Sequence, residues 1–289
     1  MCISLDEVRN VRVLLVGVMG WMLVRPATAM DAASAACRLF VTSVLPGLFP
    51  YMTLSLMLVS RAGESIGPAA LTLLGWCGGS PTGARLIGLC AMTRRERLRT
   101  AVTCATMSPM FLLGTVGDWL SSPLAGACVL ASVLLGGWIA GRLAGFTARE
   151  DQGKAEAQGV AVSPMSLGES VESAARTMLM VCGTMIILRV AAALVTEVTS
   201  TVLPALTLPL TTLLEVTTGA RMMAELPLPL PLRTALIAGA TGFGGTAVMM
   251  QNRSAYPKGL MTLPRQALWQ AVHGGVSFLI ALGLMLLFS

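Results

Sequence analysis

The chain consists of long apolar runs separated by short stretches that are polar or rich in glycine and proline. The clearest apolar runs, at 124–140, 178–196 and 267–288, approach the roughly 20 residues that a helix needs to cross a bilayer. Only helices and closed barrels span membranes, and runs of this length are typical of helices. We therefore predict an all-α, polytopic helical membrane protein with about eight hydrophobic segments.

The same four residues occur once in each half of the chain, as Thr82-Gly83-Ala84-Arg85 and Thr218-Gly219-Ala220-Arg221, 136 residues apart. Each copy follows or interrupts an apolar run at residues that break helices. Leu45-Pro46-Gly47 stands at the same offset from Val181-Cys182-Gly183. Repeated, broken hydrophobic segments are typical of transporter-like folds, with a polar site where the breaks meet. We predict two repeats with broken or re-entrant helices.

This pattern divides the chain into four parts: an N-terminal membrane helix (1–29), a first repeat (30–146), a polar linker (147–168), and a second repeat with a C-terminal membrane helix (169–289). In the first part, Arg9 and Arg12 precede an apolar stretch at 13–24 and the small residues Ala27-Thr28-Ala29, which also resembles a cleaved signal peptide. We favour a retained helix. Residues 30–44 predict an amphipathic helix at the interface, and Leu45-Pro46-Gly47 predicts a change of direction.

Composition excludes a soluble globule, because 55% of the residues are hydrophobic, 12% are charged and the mean hydropathy is +0.76. The net charge of +6 comes from thinly spread basic residues with one cluster at 94–99. Such a cluster indicates a cytoplasmic loop by the positive-inside rule. The expected partner is therefore the lipid bilayer, and no nucleic acid is expected. Thr93 and Glu96 predict a capping box that begins a helix.

The polar groups beside the predicted breaks are hydroxyls, amides and two arginines. A set poor in charge suits a neutral polar solute better than an ion. Arg85 and Arg221 offer fixed guanidinium donors for a carboxylate, a phosphate or carbonyls, although each also suits snorkelling to the interface. The candidate substrate-binding residues are Ser80, Thr82, Gly83, Arg85, Ser108, Thr115, Thr218, Gly219, Arg221, Thr246 and Gln251.

Other charged or reactive residues favour structural roles. Arg189 lies within an apolar run and is predicted to form an internal ion pair with Glu197 or Glu215. His273, the only histidine, is predicted to pack in the interior. Seven scattered cysteines include no Cys-x-x-Cys pair, and no catalytic motif occurs. We expect no enzyme activity, no cofactor and no bound metal.

Five stretches, in order, resemble the YlbJ-type sporulation integral membrane proteins, which carry the nucleoside-recognition or Gate domain. They are residues 44–50 (VLPGLFP), 79–85 (GSPTGAR), 104–117 (CATMSPMFLLGTVG), 215–219 (EVTTG) and 242–245 (GFGG). The likeness has departures: Arg85 stands where the family often has a lysine, which keeps the charge, and two others remove a polar group. Met107 stands where the family usually has an asparagine, and Met250 where a histidine tends to precede Gln251.

The resemblance implies a multi-pass protein of the bacterial cytoplasmic membrane, in a spore-forming organism, with Gate-type inverted repeats. It connects the chain with formation of the spore envelope or coat. Two functions are compatible with it. One is transport of a small polar, nucleoside-like solute, and the other is a non-transporting protein that recruits or organises envelope components.

Overall fold

The structure, a computed structural model, describes residues 5–62, 66–90, 92–148 and 163–288. All regular secondary structure in these residues is helical, which confirms the all-α prediction. The helices are α1 (Leu5–Val24), α2 (Pro26–Leu39), α3 (Leu45–Ala62), α4 (Pro68–Gly78), α5 (Thr82–Ile87), α6 (Arg94–Thr103), α7 (Gly117–Trp119), α8 (Pro123–Phe146), α9 (Leu167–Val202), α10 (Pro204–Leu214), α11 (Val216–Ala224), α12 (Leu230–Phe243), α13 (Gly245–Ala255) and α14 (Leu263–Leu287). Two wide helical turns, Phe40–Val44 and Phe111–Val116, precede α3 and α7.

Within the described ranges, four helices are long and apolar enough to cross a membrane: Pro26–Ala62, Pro123–Phe146, Leu167–Val202 and Leu263–Leu287. Three shorter apolar helices accompany them: Leu15–Val24, Pro68–Gly78 and Pro204–Leu214. The prediction of a helical membrane protein in contact with lipid is supported at this level. Four of these helices are of spanning length, and the prediction of about eight hydrophobic segments is not confirmed.

The helix that contains α2 and α3 runs without interruption from Pro26 to Ala62. The predicted change of direction at Leu45-Pro46-Gly47 is therefore wrong, and so is the separate interfacial helix at 30–44. The reason is the wide turn at Phe40–Val44, where the Leu45 N–H donates to the Phe40 carbonyl five residues back. In such a turn the N–H groups bond to carbonyls five residues back, so the helix continues into the segment that contains Pro46. The break lies at Arg25, so residue 29 falls inside α2.

Helix ends follow local sequence signals. Thr93 and Glu96 form the predicted capping box of α6, and Ser166 and Glu169 form another at the start of α9. The polar linker falls largely at 149–162, outside the described residues. Residues 225–229 are not helical, and α12 begins at Leu230 with Pro231 in its first turn.

Close packing of α14 against α8 and α12 depends on small residues. A Cβ atom added to Gly136 of α8 would lie 2.3 Å from Ser277 Oγ, and one on Gly242 of α12 would lie 2.7 Å from the same atom. Small residues let helix backbones approach within a membrane, where dispersion contacts and hydrogen bonds replace the hydrophobic effect. The three helices therefore form a tight unit around the middle of α14.

Candidate functional site

The first helix interruption separates α4 from α5 at residues 79–81. Gly79 has φ +66°, and the Ser80–Pro81 peptide bond is cis. The Ser80 N–H donates to the Thr106 carbonyl at 2.7 Å, and a Cβ on Gly79 would lie 2.5 Å from Ser108 N. Because only glycine permits this conformation and this approach, the interruption is fixed against the non-helical segment 105–108.

In the second half, a matching pair of interruptions meets. Glu215 separates α10 from α11, and Gly244, with φ +81°, separates α12 from α13. A Cβ on Gly245 would lie 3.0 Å from the Thr212 carbonyl oxygen. Thr246 Oγ1 donates to the Leu213 carbonyl at 2.9 Å. The start of α13 is therefore held against the end of α10.

Glu215 is a buried carboxylate, with a side chain only 2% exposed. It accepts the backbone N–H groups of Thr217 and Thr218 at 3.0 and 2.8 Å, and both threonine hydroxyls at 2.6–2.7 Å. Arg189 Nη1 lies 3.8 Å from Oε2. The carboxylate thus caps α11, where negative charge and an acceptor are both favourable. Glu197, the other predicted partner of Arg189, instead pairs with Arg25.

One cavity lies where the interruptions of the two halves meet, and we call it the candidate cavity. About 60 Å³ in it is open to the centre of a water molecule. Its polar lining consists of Ser80, Ser108, Glu215, Thr217 and Gln251. Its apolar lining consists of Val44, Leu48, Met107, Phe111, Val181, Met185, Val216, Ala247 and Val248. Both halves of the chain therefore contribute polar groups to one largely apolar enclosure.

Three of these polar side chains retain hydrogen-bonding capacity. Gln251 is 5% exposed, and its side-chain amide has no hydrogen-bond partner among the described residues. Ser80 Oγ accepts a hydrogen bond from Asn252 Nδ2 at 3.1 Å, which leaves its own proton to donate. Ser108 Oγ accepts a hydrogen bond from the Phe111 N–H at 3.3 Å, so the Ser108 hydroxyl can also still donate its own proton. Together they supply an amide and two hydroxyl donors.

Asn252 connects the two halves directly through this bond to Ser80. It is fully buried, and its Oδ1 atom has no partner among the described residues. The hydroxyl of Thr106, whose carbonyl holds the Ser80 N–H, is also buried without a described partner. Unpaired buried polar atoms are rare in proteins, and here they lie beside the first interruption.

Of the eleven predicted site residues, Ser80, Ser108 and Gln251 line the candidate cavity. Gly83 and Gly219 serve close packing, since a Cβ on them would lie 2.4 Å from Cys104 Cβ and 2.2 Å from Thr212 Oγ1. The four threonines lie elsewhere. Thr82 is buried and donates to the Gly78 carbonyl, Thr115 is half-buried on the wide turn before α7, Thr218 binds Glu215, and Thr246 binds the Leu213 carbonyl.

The two matched arginines have different surroundings, and neither lines the cavity. Arg85 Nη2 donates to Ser173 Oγ on α9 at 2.8 Å, which ties the first half to the second. Arg221 is 62% exposed and pairs with Glu225 one turn away at 3.2 Å. The shared tetrapeptide therefore does not give the two guanidinium groups a shared role.

The polar cavity residues that the sequence did not place at the site are Glu215 and Thr217; it also placed none of the apolar lining there, and Asn252 lies beside the cavity. A signal for Glu215 was available. Glu215 follows an apolar run and stands two and three residues before Thr217 and Thr218. An acidic residue in such a position is typical of a helix N-cap. Within the described ranges, no group of three histidine, cysteine or acidic residues is placed to hold a metal ion.

Comparison with models of protein families, with curated proteins and with solved structures gives no match. The likeness to the Gate-domain family thus depends on the five stretches of sequence alone.

Proposed function

We propose that this protein binds a small, uncharged polar solute in the candidate cavity and carries it across the bacterial cytoplasmic membrane. The observation that supports this most directly is Gln251, a residue only 5% exposed that lines the cavity between the two halves and whose side-chain amide has no partner among the described residues. Ligand sites are typically apolar enclosures with a few convergent polar groups. The hydroxyls of Ser80 and Ser108 are the other two such groups.

The charge balance favours a neutral solute. The one acidic side chain on the cavity is Glu215, and its oxygens already accept the α11 amides and two hydroxyls and lie near Arg189. A charged solute would enter a largely apolar enclosure without an uncommitted counter-charge, which is strongly unfavourable. An uncharged molecule with an acceptor and a donor avoids that cost.

The positions at which the helices begin support a duplicated architecture. α4 and α10 begin at Pro68 and Pro204, and α6 and α12 begin at Arg94 and Leu230, each pair 136 residues apart. The interruptions at Gly79 and Glu215 have the same separation. Transporters built from inverted repeats place their site at the repeat interface and expose it by rocking one repeat against the other. We propose that the two halves here form such a pair.

The size of the cavity limits the solute in this conformation. The 60 Å³ open to a water centre is well below the roughly 300 Å³ of pockets that hold drug-sized ligands. A solute of a few heavy atoms, such as a short polyol or urea, fits better than a nucleoside. A nucleoside requires the two halves to separate.

The proposal is tested by swelling of vesicles that contain the purified protein, followed by light scattering with glycerol, urea and xylitol as solutes. Wild-type vesicles are expected to swell faster than empty vesicles with at least one of these solutes. Gln251→Leu, which keeps the volume but removes the amide, should abolish that gain. Met250→Ala on the exposed face of α13 is the matched control and should leave it unchanged.

Equal swelling by wild-type, Gln251→Leu and Ser80→Ala vesicles would exclude this site. No gain with any solute would contradict transport and favour the recruiting alternative. The connection with sporulation is a separate proposal that rests on the sequence resemblance. Deleting the gene in its spore-forming host and complementing with the Gln251→Leu variant tests whether the two proposals belong together.

A further inference from the structure

A second, smaller enclosure lies on the polar face of α14. Its polar lining consists of Tyr256, Gln266, Trp269, Gln270 and His273, and its apolar lining of Val102, Ala105 and Met261. We call it the polar chamber. About 10 Å³ in it is open to the centre of a water molecule, which is the space that a single water requires.

The chamber concentrates buried polar atoms that have no partner among the described residues. They are Gln266 Oε1, Trp269 Nε1, both terminal atoms of Gln270, and His273 Nδ1. All four side chains are at least nine-tenths buried. Leaving such atoms unpaired is costly, and so many on one face of one helix is unusual for a native protein.

Neighbouring bonds determine whether two of these atoms donate or accept. His273 Nε2 lies 2.8 Å from the Val133 carbonyl oxygen, which can only accept, so Nε2 carries the proton and Nδ1 is an acceptor. Gln266 Nε2 donates to the Met249 carbonyl at 2.9 Å, so its free oxygen faces the other way. The chamber thus presents three acceptors, on Gln266, Gln270 and His273, and donors on Trp269 and Gln270.

The hydroxyl of Tyr256 already has a hydrogen-bond partner and leaves no donor unpaired in the chamber. Burial raises the pKa of its hydroxyl, which therefore stays protonated, and this hydroxyl donates to the Ala101 carbonyl at 3.1 Å. The remaining lining residues are apolar. The unmet demand is therefore for a molecule that both donates and accepts, carries no charge and has about the volume of water.

We propose that the polar chamber binds one water molecule, which donates to His273 Nδ1 and a glutamine oxygen and accepts from Trp269 Nε1 or Gln270 Nε2. A buried water typically makes about three such bonds. This site is distinct from the candidate cavity and does not depend on transport.

The position of the chamber gives this water a structural role at both interruptions. Ala105 lines the chamber, while Met107 and Ser108 of the same non-helical segment line the candidate cavity. Gln270 Nε2 lies 3.7 Å from the position that a Cβ on Gly244 would take. The water therefore holds the polar face of α14 behind segment 105–108 and beside the second interruption.

The direct test is an experimental map of the full chain in lipid nanodiscs, at a resolution that shows ordered waters. The expected result is a peak within hydrogen-bonding distance of both His273 Nδ1 and Trp269 Nε1 or Gln270. A map that shows other buried waters but none in the chamber overturns the proposal.

Hydroxyl-radical labelling in intense X-rays provides an independent measurement, because a bound water is a local source of the radical. Trp269 should be labelled several-fold faster than Met52, which is fully buried in an apolar region, after each rate is normalised to the unfolded chain. Gln270→Leu should reduce labelling of Trp269, whereas Leu268→Ala on the exposed face of α14 should not. If Gln270→Leu does not fold, the wild-type rates decide, and equal rates for Trp269 and Met52 contradict a bound water.

Discussion

The interruptions at 79–81 and at Glu215 border the same cavity, but different groups bind the backbone at each of them. At 79–81 the backbone closes the break, through the Ser80 N–H on the Thr106 carbonyl and the close approach of Gly79 to Ser108. At Glu215 a side chain does so, because its carboxylate takes the first amides of α11 and lies near Arg189. Among the described residues, the first break leaves the hydroxyl protons of Ser80, Ser108 and Thr106 without an acceptor, whereas both threonine hydroxyls at the second break donate to Glu215.

Gly79 and Glu215 stand at the same offset of 136 residues that separates the shared tetrapeptides. A common position along the chain therefore does not imply common polar content. Where the backbone pairs with itself, small side chains remain available to a ligand. Where a carboxylate accepts these hydrogen bonds, the neighbouring hydroxyls also donate to it and are no longer available to a ligand. We therefore propose that Ser80, Ser108 and Gln251 bind the ligand, and we expect Glu215 to contribute to stability.

The largest expected effect follows from removing the Glu215 carboxylate. Glu215→Ala leaves the α11 amides, two hydroxyls and the largely buried Arg189 without their partner. Removing one partner of a buried ion pair costs roughly 3–5 kcal/mol. Thermal unfolding in detergent should show this loss, with Glu225→Ala, an exposed i,i+4 pair, as a control that changes stability by less than about 1 kcal/mol. Similar midpoints for the two variants would show that Glu215 does not hold the second break.

Gly79→Ala should have the next largest effect, because it disrupts the close backbone packing of the first interruption against Ser108. The backbone has φ +66°, and the new Cβ would lie 2.5 Å from Ser108 N. Strain of this kind costs about 1–3 kcal/mol before the clash is counted. Gly183→Ala is the matched control, since no atom lies within 4 Å of its Cβ position in the middle of α9, and alanine there should stabilise by about 0.5–1 kcal/mol. A tolerated Gly79→Ala would show that the first break is not rigid.

Asn252→Ala tests the hydrogen bond from Asn252 Nδ2 to Ser80 Oγ, which joins the two halves of the chain. Loss of the 3.1 Å contact to Ser80 Oγ should cost about 1 kcal/mol and reduce solute flux, because the Ser80 hydroxyl loses its orientation. Swelling and unfolding are measured on the same preparations, with Met250→Ala as the control. Unchanged flux with lowered stability would limit Asn252 to a structural role.

The smallest effects concern the matched arginines. Arg85→Ala should cost about 1 kcal/mol, because it loses the contact between halves at Ser173. Arg221→Ala should cost no more than about 0.5 kcal/mol, because it loses only an exposed pair within one helix. Neither should change the solute preference, since neither lines the cavity. A changed preference in Arg221→Ala would place that guanidinium group on the solute path.

Much of the fold could be predicted from the sequence, because its signals are local. Apolar runs indicated the helices, Thr93 and Glu96 indicated a capping box, and Gly79 marked a real interruption. Leu45-Pro46-Gly47 was misleading, since a wide turn upstream lets the helix continue through Pro46. Whether a proline ends a helix depends on the hydrogen bonding of the preceding turn, which the residue types do not specify.

The candidate site was less predictable, because it depends on which surfaces meet. Gln251 and the two serines were identified from their polar character beside breaks. Arg85 and Arg221 share a tetrapeptide, yet one reaches α9 and the other a neighbouring turn. The cap formed by Glu215 was indicated by the threonines that follow it, but its burial is a tertiary property. The lack of partners for the polar side chains on α14 is likewise a tertiary property, because it depends on what packs against that helix.

The uninterrupted helices Pro26–Ala62 and Leu167–Val202 contain 37 and 36 residues. At 1.5 Å per residue each is about 54 Å long, whereas the hydrocarbon layer is about 30 Å thick. Neither can stand upright inside that layer, so each must lean steeply or project into the headgroups. Because the first carries Val44 and Leu48 and the second Val181 and Met185 along the candidate cavity, the acyl-chain length of the surrounding lipid is expected to alter the width of that cavity through the tilt of these two helices.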